Sequence, residues 1–439
     1  MKIIITFLFL LSVFLNNKAN AQQSGDSLPS RADLQQLLDY ALHNTVSIKQ
    51  AELDEQIGEK DIRISLSGWY PQLSANGNYN YNVILPTMFI NNSNISMGTK
   101  NSSAFTIQAD QQVINPELRQ AKKSADLQRF NNRLNIESKK IDVIVNVSKA
   151  YYDILTTEEQ IKIIQENINR QFQQYNDAYS RFEAGIVDKI DYKRAQISLA
   201  NSKADEKRVN EIRKYKYDYL KQLLAIDRSR NISLSFNDAD PEGQILEDTS
   251  AVLILSNRVE FKQLQTNKKI QGLNTQYHKW LYLPSLNIFY NYSLNYRNNA
   301  LGKLFNDNFP SSIAGINLTI PIFQGFKRKN QIARSKLQEK RIDLDIVDLE
   351  NSMYAELSFA KASYKANLND WLTAKENMKI SREVYQTIKL QYDAGIKNYL
   401  ELMTAETDLK TSELNYLNTL YAVLASKLEF RKALGIIHQ

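Results

Sequence analysis

Two hydrophobic periods alternate along this chain, and the whole alternation is written twice. From Ala32 to Ser67 apolar residues recur at helical spacing: Leu34, Leu37, Leu38 and Ala41 first, then Ile48, Leu53, Ile57, Ile62 and Leu66 after an interruption at Asn44. Gly68 and Pro71 close that helix. The period then drops to two over about 72–85, where Leu73, Ala75, Gly77, Tyr79 and Tyr81 alternate with amides such as Asn76, Asn78 and Asn80. A second such strand covers about 103–114, with Phe105, Ile107, Ala109 and Val113 on one side and Gln108 and Asp110 on the other. Strands reappear at about 285–296, where Phe289 is the exception to the alternation and Asn291 holds the polar phase, and at about 312–323, where Asn317 holds it.

Long helical patterns separate the strand pairs. Nothing interrupts the helix from Pro116 to Ala184, and Ile168, Phe172, Tyr175, Tyr179 and Phe182 step along it as a coiled-coil seam. Helix continues over about 188–226, from near Ala251 to Tyr282, from Gln324-Gly325 to Asp393, and from about Asn398 to Leu434, where Gly435 stops it. Phe182-Glu-Ala-Gly-Ile186 returns as Tyr392-Asp-Ala-Gly-Ile396, shifted by 210 positions, with Asp191 facing Glu401. Each copy, 182–190 and 392–400, lies between long helices and reads as the tip of a helical hairpin. A tight turn there needs a residue that tolerates positive φ, which accounts for Gly185 and Gly395. The chain is therefore a duplicated helix-strand-strand-helix-helix unit, a mixed α/β organisation: a first repeat at 31–227, an intervening segment at 228–249 rich in loop residues, and a second repeat at 250–439.

The first 30 residues change the setting. Lys2, an apolar run from Ile3 to Leu15 and the small-x-small site Ala19-Asn-Ala21 make residues 1–21 a secretory signal peptide; residues 22–30 read as a flexible leader. There are no cysteines, which removes disulfides, thiolate metal sites and thiol nucleophiles together. The net charge of +7 falls to +5 once Lys2 and Lys18 are lost, and both signs are interspersed, so no nucleic-acid patch forms.

An exported chain whose strands have one apolar and one uncharged-polar face fits a barrel wall between lipid and a watery lumen. Each strand has about the length a tilted membrane strand requires, roughly 9–11 residues. Four strands cannot close a barrel, and an open edge in lipid leaves backbone groups unpaired. Several copies must share one barrel, and the count alone leaves a dimer or a trimer open. In both repeats the strands are entered from a helix and left into one, so both hairpin loops lie on the far side of the membrane and all the helices on the periplasmic side. Asp110 is then the only charge within the strand cores.

Arg181-Phe-Glu-Ala-Gly185 with Asp191, Tyr392-Asp-Ala-Gly395 with Glu401, Tyr70-Pro71, Leu283-Pro-Ser-Leu286 and Ile320-Pro-Ile-Phe-Gln-Gly325 together resemble the TolC-like outer-membrane efflux protein family. The resemblance implies a homotrimer with a shared 12-stranded β-barrel, continued by a long α-helical coiled-coil tunnel through the periplasm, with 228–249 in an equatorial collar. It implies a channel for efflux or type I secretion, held by outer-membrane lipid and partnered by a periplasmic adaptor (membrane-fusion) protein and an inner-membrane pump of the RND or ABC type. It implies a periplasmic gate at Asp191, Tyr392, Lys397 and Glu401, and adaptor-docking tips at Arg181, Gly185, Ile186, Gly395 and Ile396. Lys397 stands where the best-known member has an arginine, and a point charge without bidentate geometry makes a looser lock. Asn115-Pro-Glu117 departs from the family by lacking the glycine turn found at Gln324-Gly325.

No catalytic reading competes. His43, His278 and His438 are isolated from any second ligand or carboxylate at useful spacing, and nothing calls for a cofactor. Asn76, Asn78, Asn80, Asp110, Asn291 and Asn317 are expected in the lumen. The alternative is a non-conducting periplasmic coiled-coil adaptor, for which lipid-facing strands would have no purpose.

Overall fold

The computed structural model describes residues 28–90, 93–235 and 242–437. The expected signal peptide, residues 22–27 of the leader, the loop residues Asn91 and Asn92, the loop markers Asn237 and Pro241, and His438 lie outside the described residues.

The helices come first in mass. α1 (Leu34–Asn44) and α2 (Val46–Leu66) meet at Thr45, whose extended backbone breaks the helix where Asn44 ends it. Asp33 and Gln36 close the start of α1 as a reciprocal capping box. α3 (Pro116–Glu183) runs 68 residues, about 100 Å at 1.5 Å per residue. Its start is well made, with Asn115 as cap, proline in the first turn and Glu117 against the positive end of the helix dipole. α3 folds back into α4 (Lys189–Leu224); α5 (Val259–Trp280) leads to the second strand pair, and α6 (Lys327–Asp393) folds back into α7 (Tyr399–Leu434). α3 packs on α4 and α6 on α7, and the two hairpins join along α3 and α7.

The main hydrophobic core sits midway along these helices. Leu37 and Ile48 from the first helices, Tyr151 and Ile154 from α3, Leu220 and Leu224 from α4, Tyr364 from α6 and Phe430 from α7 are all buried there. Tyr364 and Phe430 stack at 5.8 Å, and the Tyr364 hydroxyl donates to the Ile245 carbonyl at 2.9 Å. This pins the stretch around Ile245 to the helices. It also corrects the leader. Leu28 is only 4% exposed, Arg230 donates to its carbonyl, and Ser233 donates to Ser30 at 3.0 Å. β1 (Arg31–Ala32) pairs parallel with β6 (Ser233–Leu234), so the leader's last residues are anchored by partners about 200 positions away.

β2 (Gln72–Tyr81), β5 (Asn101–Ile114), β7 (Ser285–Asn298) and β8 (Asn308–Thr319) form one antiparallel sheet in that order. A small hairpin, β3 (Thr87–Ile90) with β4 (Ser93–Ser96), extends the loop between β2 and β5. Three boundaries differ from expectation. β8 begins and ends four residues early, because Pro321 has no N–H to continue a ladder, while Pro310 is tolerated on an edge strand. β7 runs to Asn298 and so brings in Arg297, a second charge in the strands besides Asp110. Helix resumes at Val259 and not near Ala251; a turn just before Ala251 has Asp248 accepting from the Ser250 backbone at 2.8 Å, and a short 3-10 helix at Leu255–Asn257 precedes Val259.

The expected seam on α3 is also displaced. Ile164, Asn167, Gln171 and Ala178 are buried, Asn167 donating to Ser202 of α4 at 3.2 Å, whereas Phe172 and Tyr179 stay exposed at 50% and 39%. Only part of the aromatic line is turned away from the facing helix, because the rings of Tyr179 and Phe182 lie 5.5 Å and 4.9 Å from that of Tyr192.

Candidate functional site

The sheet register sorts the strand residues into two faces, since directly opposed residues share a side. Asn76 opposes Thr106, Asn78 opposes Ala104 and Asn80 opposes Ser102. Asp110 opposes Gln72 and Phe289, Asn291 opposes Gln108, and Asn317 opposes Asn287. All six expected lumen residues therefore lie on one face. Leu73, Tyr79, Ile107, Tyr290, Tyr292, Leu294 and Leu318 lie on the other. Asp110 accepts from the Gln108 amide at 2.6 Å and from Asn287 at 3.4 Å, so its charge is held in place by neighbouring amides. Phe289, the exception in the alternation, has a local cause: its ring covers Gly315, where a Cβ would come within 2.6 Å of it.

The two edges of this sheet are open. Every residue of β2 and every residue of β8 except Gly315 is exposed, while the central strands are partly covered. β2 and β8 run antiparallel to each other through the sheet, so β8 of one copy can pair with β2 of the next and keep the whole barrel antiparallel. Among the described residues no helix is long and apolar enough to cross a membrane.

At the far end of the helices both tips use one device. Ile186 N–H donates to Arg181 and Gly185 N–H to Phe182; Ile396 and Gly395 repeat this with Gln391 and Tyr392, all at 2.8–2.9 Å. These are Schellman closures. They place Gly185 and Gly395 at φ of +72° and +76°, where side chains are disfavoured. Ile186 and Ile396 project at 72% and 73% exposure, a pair of apolar knobs on the two tips.

The four expected gate residues are divided between separate contacts. Lys397 pairs with Glu401 on the same helix, and Glu401 also closes a capping box with Asn398. These contacts hold the Glu401 carboxyl below the usual range. Among the described residues Asp191 enters no ion pair; it lies close enough to Tyr392 and Tyr399 for its charge to raise both phenols, a smaller effect than that of their burial. The link between the two hairpins is instead Arg181, whose guanidinium sits 5.2 Å from the centre of the Tyr392 ring, with Tyr392 edge-on to the buried Tyr399 at 6.1 Å.

A second inter-hairpin contact went unforeseen. Glu406 of α7 is 3% exposed and faces Arg170 of α3 at 3.6 Å, with Arg170 also over the Tyr385 ring. Burial raises the Glu406 carboxyl, and Arg170 only partly opposes it. The signal was present: Glu406 and Glu413 stand in the buried line of Leu402, Leu409 and Leu417, and a carboxylate in such a line requires a partner. Glu413 has one in Arg382 at 2.9 Å. No group of three metal-ligating side chains comes together among the described residues.

A duplicated chain whose four strands present one polar and one apolar face, and whose helices form two tipped hairpins, defines the class of outer-membrane channels with a barrel and a periplasmic tunnel. The comparisons agree. The outer membrane efflux protein family matches residues 37–225 and 255–436, nearly the two repeats, and this chain belongs to that family. It is 23% identical to outer membrane protein TolC of Vibrio cholerae over 314 residues, 68% of each chain. Protein CyaE of Bordetella pertussis is 25% identical over 278 residues, 61% of this chain and 56% of that one. Cation efflux system protein CusC of Escherichia coli is 19% identical over 404 residues, 91% of this chain and 85% of that one. A solved structure of CusC superposes with a TM-score of 0.74 at 17% identity, covering 91% of both chains. The protein is an outer-membrane channel component of an efflux or secretion system, its barrel shared among copies and its helices in the periplasm.

Proposed function

We propose that this channel is a passive conduit, a homotrimer opened by a periplasmic adaptor and energised by an inner-membrane pump of the RND or ABC type. The observation that carries the reading is the coincidence of a polar strand face at one end with two exposed, glycine-turned tips at the other. The polar face gives water and solute a path through the barrel, and the apolar face meets lipid. The tips offer an adaptor's helices two matching turns with exposed Ile186 and Ile396, and Arg181 stands beside the first. Arg181, Tyr392 and Asp191 are the gate, and Lys397 with Glu401 stiffens one side of it from within its own helix. Asn76, Asn78, Asn80, Asp110, Asn291 and Asn317 line the lumen, and Asp110 biases it toward cations.

The test is direct. Purified protein in a planar bilayer should give discrete conductance steps, and Asp110→Asn should lower the cation-to-anion permeability ratio. Absence of steps from protein shown to be inserted would defeat the conduit reading. An unchanged ratio would remove Asp110 from the lumen.

A further inference from the structure

We propose that the cations at the junction of strands and helices bind anionic phospholipid headgroups in the periplasmic leaflet of the outer membrane. This rests on the barrel spanning that membrane, which places the junction at its inner surface.

The junction is strongly one-signed. Lys327, Arg328 and Lys329 open α6, and Arg119, Lys122 and Lys123 stand in the first turns of α3. Within those turns Glu117 is the single carboxylate. None of the six cations has a carboxylate partner among the described residues, although cations elsewhere on the helices pair repeatedly, as Arg129 does with Glu59 and Lys216 with Asp153, both at 2.8 Å. The placement also opposes helix formation. The start of α6 carries the positive end of the helix dipole, no side-chain cap and no acidic residue in its first turn, unlike α3. A chain that tolerates three cations there is relieved by an anion outside itself.

The surroundings match a lipid headgroup better than a soluble anion. Ile322, Phe323 and Phe326, between the end of β8 and the cations, are 95%, 73% and 65% exposed. Arg119 lies 4.4 Å over the Trp280 ring and Arg328 5.4 Å over Tyr282. Aromatic rings with cations drawn across them at the end of an apolar strand wall are what a membrane–water boundary selects. A row of basic residues at that depth attracts anionic lipid in proportion to its charge.

The experiment places the full-length channel in bilayers of phosphatidylethanolamine with phosphatidylglycerol and counts each lipid retained by the released oligomer in native mass spectrometry. Wild type should retain phosphatidylglycerol over its bulk fraction by at least about threefold, less at high salt. The variant K327Q/R328Q/K329Q should lose that enrichment. A charge-matched control on the same helix, K340Q/K365Q/K379Q, should keep it. The proposal is overturned if wild type shows no enrichment, if the first variant keeps it, or if both variants lose it equally. Failure of wild type to insert at all would remove the barrel reading, and this proposal with it.

Discussion

Replacing Arg181 by alanine removes the contact that joins the two hairpins at the tip. The guanidinium lies 5.2 Å from the Tyr392 ring centre and is half-buried, a geometry worth about 0.5–1 kcal/mol. In a ring of three copies that open together, the closed state loses about 1.5–3 kcal/mol, which shifts the closed-to-open ratio by roughly 10- to 150-fold. Single-channel recording in planar bilayers reads this as open occupancy. Arg181→Ala should raise it by about tenfold or more, and Arg181→Lys should keep much of the wild-type behaviour because an ammonium can also lie over the ring. Lys397→Ala should change occupancy little, because its partner is on its own helix. If Arg181→Ala matches wild type, or Lys397→Ala opens the channel more than it does, the assignment of the latch is refuted.

Three further predictions follow from particular contacts. Burial sets the Glu406 carboxyl above its ordinary 4.5 despite Arg170, with Lys410, Gln174 and Tyr385 the other groups around it. Its raised folded pKa gives stability that is present below the unfolded value and lost as pH rises through the folded one. Thermal melts followed by circular dichroism should therefore show a Tm that falls above about pH 4.5 in wild type and a flatter profile in Glu406→Gln; identical profiles would refute this. Gly315→Ala forces a Cβ into the Phe289 ring, an overpacking cost of about 1–3 kcal/mol per chain. The heat-modifiable oligomer should melt earlier on gels, and adding Phe289→Ala should restore it; failure of that rescue would remove the packing explanation. Gly185→Val or Gly395→Val puts a β-branched side chain at φ above +70°. Oligomers should persist while export through the assembled system fails in cells, and normal export would sink the docking role of the tips.

Features set by local chemistry were legible in advance. Gly185 and Gly395 announce left-handed turns, the helices that follow start next to the expected Asp188 and Asn398, and period-two alternation put all six residues expected in the lumen on one face. What escaped depended on choices between partners. Lys397 had carboxylates at several separations, and the one a single turn away took it, as i,i+4 geometry favours. The anchoring of Leu28 and Ser30 depends on Arg230 and Ser233, which no local pattern connects to them. The aromatic line on α3 looked like its own seam, yet Asn167 and Ala178 are the buried residues. Phe172 is left exposed, while Tyr179 keeps one edge against Tyr192.

The central claim is that three copies close one barrel through β2 of one and β8 of the next. The natural sequence contains no cysteine, so Asn78→Cys and Ser311→Cys, on the polar face of the two edge strands, give the only thiols. A flexible bis-maleimide applied to outer membranes should produce a covalent ladder that stops at three chains, with neither single variant giving more than trace adducts. No adduct from the double variant, a ladder ending at two, or one continuing past three would contradict the account.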